Sequence, residues 1–195
     1  MEKHRLISFS DGVIAIIITI MVLELHVPEG ITLASLKPLT PVFLSYVLSF
    51  IYVGIYWNNH HHMFHLVSRV TGGVLWANTH LMFWLSLIPF ATAWMGENHF
   101  TPLPTALYGV SLLMPSLAYF LLQRTIIHTQ GPASPLQKAL GSDLKGKSSP
   151  PLYLTGIALS FVSPPFAVAV YTLVAAMWII PDRRIEKNLP PSSTH

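Results

Sequence analysis

The chain alternates between long apolar runs and short polar interruptions. An apolar run of about 17–25 residues is the length a helix needs to cross the hydrocarbon core of a bilayer. The first such run covers 8–26, beginning just after Arg5 and closing before His26–Val27–Pro28–Glu29–Gly30. A second covers 41–58, a third 73–94, and a fourth 104–122, the last with Pro115 as a break in its middle. The final apolar stretch, Leu152 to Ile180, is too long for one crossing and is interrupted by Ser163–Pro164–Pro165. It predicts a tight helical hairpin over 151–163 and 166–181. A five-span reading with one long kinked helix is the alternative. The pattern therefore predicts an all-α integral membrane protein with a six-helix transmembrane domain over 1–182 and a tail over 183–195.

Charge placement favours six spans. With a cytoplasmic N-terminus, and with it a cytoplasmic C-terminus, the inside segments carry Lys3, Arg5, Arg69, Arg124, Lys138, Lys145, Lys147, Arg183, Arg184 and Lys187, which leaves only Lys37 outside. Such an excess of basic residues on one side is the usual mark of the cytoplasmic face. Thr129–Pro150, rich in Gly, Ser, Pro and Lys, reads as a flexible cytoplasmic linker, and Pro190–His195 as a disordered tail. A signal peptide is the competing reading of the first run. Against it, Asp11 enters the run early and no small-residue cleavage pattern closes it.

Composition agrees with the bilayer as solvent. Of 195 residues 52% are hydrophobic and 10% charged, where soluble domains carry about 25% charged residues. The mean hydropathy is +0.53. The absence of cysteine excludes disulfide frameworks, thiolate zinc sites and iron–sulfur clusters. A net charge of +3 raises the question of nucleic acid, but the basic residues are scattered over loops and form no stripe, so no nucleic-acid partner is expected.

At 100° per residue, Ile16, Ile20 and Leu23 of the first run fall within roughly 60° of one another, with Thr19 on their flank. Glu24 lies at the edge of this stripe, near the outer surface, and Gly12 close to it. Asp11 points roughly 140° away from Ile16. An ionisable group at membrane depth costs on the order of 2.5–3.5 kcal/mol, so Asp11 needs partners or water. Periodicity alone favours the plainer reading, with Ser8, Ser10 and Asp11 as helix-start caps and the Ile/Leu stripe as ordinary packing.

The first helix carries Arg5–x–x–x–Phe9–Ser10–Asp11–Gly12, followed by Ile16–Ile17–Ile18–Thr19–Ile20–Met21. Tyr56–Trp57–Asn58–Asn59–His60–His61–His62–Met63–Phe64–His65 closes the second span. Leu75–Trp76–Ala77–Asn78 and Ser86–Leu87–Ile88–Pro89–Phe90–Ala91–Thr92 lie in the third. Together these segments resemble the endosomal/lysosomal potassium channel family (transmembrane protein 175 family), in its prokaryotic branch. The resemblance implies a six-helix subunit assembled as a homotetramer in a prokaryotic cell membrane, with four first helices lining a central pore. It implies Ile16 as a hydrophobic constriction, Thr19 as the position of ion selection, and Ile20 and Leu23 as the continuing pore face. Potassium is then the permeant ion among monovalent cations, with no cofactor and no enzymatic activity. The sequence departs from the family pattern at Ile16, where some members carry leucine, and at Asn58, where an apolar residue is more usual.

A ring of isoleucines can stop ions by dewetting a narrow apolar passage. No Thr-Val-Gly-Tyr-Gly filter is present, so modest selectivity through pore width and the Thr19 hydroxyl is expected. Glu24 is the candidate for a ring of charge at the pore mouth, or else an interfacial carboxylate facing water. Arg5, Ser10 and Asp11 are expected to join His60, His61, Trp76 and Asn78 in a buried polar network with Phe9 of the signature beside it. The four histidines His60, His61, His62 and His65 invite a metal site, since His61 and His65 lie one turn apart, yet the histidines outside this cluster are isolated and no metal is expected. Trp84, Trp94, Tyr108, Tyr153 and Trp178 read as packing or interfacial anchors. The competing function is a small secondary transporter or proton-coupled cation carrier, for which Pro89 and Pro115 supply breaks in helices but no internal repeat is visible.

Overall fold

The computed structural model describes residues 2–131, 134–141 and 143–179 of the chain. The expected tail over 183–195, with Arg183, Arg184 and Lys187, and the last residues of the expected final span lie outside the described residues. Among the described residues the regular structure is helical. It comprises α1 (Lys3–Leu23), a 3-10 turn (Leu33–Leu39), α2 (Thr40–His65), α3 (Gly72–Ser86), α4 (Ile88–Glu97), α5 (Pro102–Gln130), α6 (Pro135–Leu140), α7 (Leu144–Ser160) and α8 (Pro164–Ile179). Among the described residues four segments are long and apolar enough to cross a bilayer: α1, the 3-10 turn continued by α2, α3 continued by α4, and α5. The 16-residue α8 is apolar but shorter.

Two readings of the sequence need correction. Pro115 does not break the fourth span, because α5 runs unbroken through it and the proline is buried. Neighbouring helices shield the carbonyl that a proline leaves unpaired, which lets membrane helices carry one. The break falls instead at Leu87, between α3 and α4, where the turn residue donates to the Leu85 and Trp84 carbonyls and Pro89 opens the next helix. Thr129–Pro150, expected to be a linker, holds α6 and the first turns of α7. There the Asp143 carboxylate accepts from the Gly146 amide at 3.1 Å and starts α7, and Pro150 and Pro151 lie inside the helix.

Helix ends identify which sides meet. Lys3 Nζ donates to the His65 carbonyl at 3.3 Å, so the start of α1 adjoins the end of α2. Gln130, ending α5, donates to the Leu66 carbonyl at 2.9 Å and to Ser68 at 3.3 Å. Near the end of α8, Trp178 donates to Ser149 in the early turns of α7 at 2.8 Å, which makes α7 and α8 an antiparallel hairpin. Lys3, Arg69 and Arg124, with α6 and the start of α7, therefore gather at one end of the molecule, and Lys37 sits at the other.

Among the described residues the interior forms two packed clusters. One joins Leu6, Ile14, Ile17 and Met21 of α1 to α2, α3, α5 and α6, ending at Leu140. The other joins Tyr52 of α2, Met95 of α4 and Tyr108 of α5 to Tyr153 and Tyr171 of the α7–α8 hairpin. Hydroxyls tie the second cluster together. Thr92 gives its proton to the Ile88 carbonyl (2.7 Å), so Ser49 must donate to Thr92 (2.7 Å) and Tyr108 to Ser49 (3.0 Å). Helix α4 can approach α2 closely because Gly96 has no side chain: a Cβ there would lie 2.7 Å from the Val42 Cα. Gly96→Ala should therefore lower stability by about 1–3 kcal/mol, the usual effect of overpacking. Thermal unfolding of the detergent-solubilised protein measures this, and an unchanged transition would mean that the α2–α4 contact yields freely.

The first helix and its polar anchor as candidate functional site

Helix α1 has two faces of opposite character. Leu6, Ser10, Ile14, Ile17 and Met21 recur at spacings of three and four and are buried against the rest of the subunit. That spacing is what places them in one stripe. Ile16 (58% exposed), Ile20 (42%) and Leu23 (78%) lie on the uncovered side, as does Thr19. The candidate pore stripe thus uses none of the residues that hold α1 in place. Gly12 belongs to this open side, and nothing within 4 Å would meet a Cβ there. Phe9 is 52% exposed.

Thr19 has a defined hydroxyl direction. Its proton goes to the Ile16 carbonyl at 2.9 Å, so only oxygen lone pairs remain for whatever faces the helix. An acceptor-only hydroxyl is the form a cation requires. Glu24 caps the last turn of α1, half-buried, and its carbonyl is 3.1 Å from His26 Nδ1.

At the other end of α1, the structure brings together three of the expected network residues. Ser10 is fully buried and gives its proton to the Leu6 carbonyl at 2.9 Å. It must then accept from Asn78 Nδ2, also at 2.9 Å, which fixes the Asn78 amide orientation. Asn78 Oδ1 in turn accepts from His60 Nε2 at 2.8 Å. This chain of donors assigns the His60 proton to Nε2 and leaves its buried Nδ1 lone pair without a protein partner. The Phe64 ring lies beside the imidazole, with centroids 4.5 Å apart. One serine, one amide and one imidazole thereby lock α1 to α2 and α3.

The other expected members lie elsewhere. Asp11 accepts from Trp57 Nε1 at 3.1 Å and so forms a second, separate tie between α1 and α2. His61 stacks on Trp57 and pairs with His65, Nε2 to Nε2, at 2.9 Å. Arg5 is exposed and Trp76 is 77% exposed, so neither joins the buried chain. Helical geometry explains both cases: Arg5 projects about 140° from Ser10, and Trp76 about 200° from Asn78. Trp57 is the residue that sequence reasoning missed as an Asp11 partner. The i, i+4, i+8 spacing puts Trp57, His61 and His65 on one face of α2 but does not point to Asp11 on α1. Among the described residues, no three His, Asp or Glu side chains come together in a way that could hold a metal ion.

Comparison with known proteins places this geometry. The family model described as endosomal/lysosomal potassium channel TMEM175 matches residues 5–89, which contain α1, α2 and the network partners on α3. A protein of Chryseobacterium sp. (strain P1-3) named as a potassium channel is 57% identical over 189 residues, covering 97% of this chain and 98% of the relative. Another potassium channel, from Streptomyces collinus, is 30% identical and covers 89% of this chain and 90% of its own length. The crystal structure of a lysosomal potassium-selective channel TMEM175 homolog from Chamaesiphon minutus superposes with a TM-score of 0.81 at 29% identity, covering 93% of this chain and 98% of that one. With a shared fold, a matching first helix and identity sustained over nearly the whole length, this membrane protein belongs to the endosomal/lysosomal potassium channel TMEM175 family.

Proposed function

We propose that four copies of this chain form a potassium-permeable pore across the cell membrane of a prokaryote, with the uncovered face of α1 turned to the central axis. The observation that carries this reading is the division of α1 into a buried stripe and an exposed one, with Ile16, Thr19, Ile20 and Leu23 all on the exposed side. The naming of full-length relatives as potassium channels supports the choice of ion. Six crossings, α1, α2, α3–α4, α5, α7 and α8, with both termini in the cytoplasm, accord with the gathering of basic residues at one end. In this arrangement the Ile16 side chains form the narrowest, driest ring, and Ile20 and Leu23 continue it outward. The Thr19 oxygens offer lone pairs to a partly dehydrated cation. The Ser10–Asn78–His60 chain sets the angle at which α1 crosses the membrane and does not touch the ions.

Single-channel recording of the purified protein in planar bilayers tests the proposal. Unitary currents with a reversal potential shifted toward potassium are expected, and saturating slow flux coupled to another ion would instead establish a carrier. A ring of Glu24 carboxylates at the mouth should concentrate cations there. Glu24→Gln should reduce potassium conductance by about half at 10 mM salt and leave it nearly unchanged at 1 M, where the Debye length has fallen to about 3 Å. Equal reduction at both salt concentrations would place Glu24 off the ion path.

A further inference from the structure

Helix α5 has an unpartnered stripe that ends in a cation. Leu117 (43% exposed), Phe120 (39%) and Leu121 (49%) stand at spacings of three and four on its outer face, and Arg124 completes the repeat one turn on. The Arg124 guanidinium lies over the Phe120 ring, 4.9 Å from its centroid, and so is held above the apolar stripe. Beside it, between α5, α6 and the start of α7, opens a polar cavity of about 120 Å³. That is room for several water molecules. Arg124, Lys147, Gln123 and Gln137 line it, together with Asp143. The Asp143 carboxylate is turned to the Gly146 amide as the cap of α7, so part of its charge is already engaged. Gln123 is 6% exposed and, like Phe120, also borders a second, mainly aromatic cavity of about 40 Å³.

Depth adds a further constraint. A hydrocarbon core of about 30 Å takes up about 20 helical residues. Counted from Pro102, where α5 begins, it is exhausted near Leu122. Arg124 and Lys147 then stand at the level of lipid phosphates, on the side where the basic residues gather, while Leu117 and Leu121 stand in the hydrocarbon. We propose that this groove binds one anionic phospholipid, with its phosphodiester between Arg124 and Lys147, its headgroup hydroxyls toward Gln123 and Gln137, and an acyl chain along Leu117 and Leu121. A cation pair over an apolar stripe matches both ends of such a molecule, whereas free phosphate would use only the upper half. The site lies on α5, α6 and α7, apart from α1, and does not rest on the pore reading.

Native mass spectrometry of the purified full chain, titrated with phosphatidylglycerol or phosphatidylcholine, tests this. The wild type should retain phosphatidylglycerol in preference, and Lys147→Gln and Arg124→Gln should each weaken that retention about fivefold, the contribution typical of one basic residue at an anionic interface. Arg124→Lys should restore most of it, and Lys37→Gln, at the opposite end, should leave it unchanged. Should Arg124→Gln not fold, Lys147→Gln alone decides. Equal retention of the two lipids, or retention of phosphatidylglycerol that survives Lys147→Gln, overturns the proposal. So does displacement of the lipid by inorganic phosphate at the same concentration, which would make the groove a site for small anions.

Discussion

Ile16→Asn should raise potassium flux through the reconstituted protein by on the order of tenfold or more, because in the proposed tetramer four amides at position 16 would keep the ring wet where four isoleucines would expel water. The same change should reduce the preference for potassium over sodium, since a wider and wetter ring lets ions pass with more of their hydration. Folding should be little affected. Ile16 is 58% exposed within the subunit, and substitutions at exposed positions usually stay within about 0.5 kcal/mol. The adjacent position supplies the control: Ile17 is 3% exposed, and Ile17→Asn buries an amide where only apolar atoms wait. That variant should lose about 2 kcal/mol or more of stability. Flux measurements on liposomes and thermal unfolding of both variants separate the two faces of α1. A folded Ile16→Asn protein with wild-type flux would remove Ile16 from the pore.

Asn78→Leu should have the second largest effect, and on a different quantity. The side chain receives a bond from His60 and gives one to Ser10, so a leucine of similar volume leaves the buried His60 N–H without an acceptor. An unsatisfied buried donor costs roughly 1–3 kcal/mol, and measured bonds between membrane helices average nearer 0.6 kcal/mol. A loss of about 2 kcal/mol corresponds to a fall in melting temperature of roughly 4–8 °C for a chain of this size. Because Asn78 lies behind α1, away from Ile16, single-channel conductance should be retained while open probability changes. An unchanged melting temperature together with unchanged open probability would show that the chain of bonds does not hold the helix.

The parts of the molecule that were legible in the sequence are those governed by one helix at a time. The stripe of Ile16, Ile20 and Leu23 follows from a 3.6-residue repeat alone, and the structure places all three on the uncovered face of α1. The five apolar regions could be found from length and hydropathy because a bilayer imposes a fixed thickness. Errors arose where a second element decides. Pro150 and Pro151 look like helix breakers, but Trp178 holds Ser149 from the facing helix and α7 continues through them. Pro115 was read as a break for the same reason. Arg5 and Trp76 share motifs with network residues, and a motif records proximity in sequence without recording the side of the helix. The Trp57–Asp11 bond requires the crossing of α1 with α2, which no periodicity contains.

The division of the interior into two clusters also bears on biogenesis. Every residue of the first cluster, from Leu6 to Leu140, has been synthesised before α7 begins, whereas the second waits for Tyr153 and Tyr171. As the chain leaves the ribosome, α1 can thus be seated by its own partners while the last hairpin is still to come. The order in which the polypeptide emerges favours setting the first helix early and closing the aromatic half of the subunit around it afterwards.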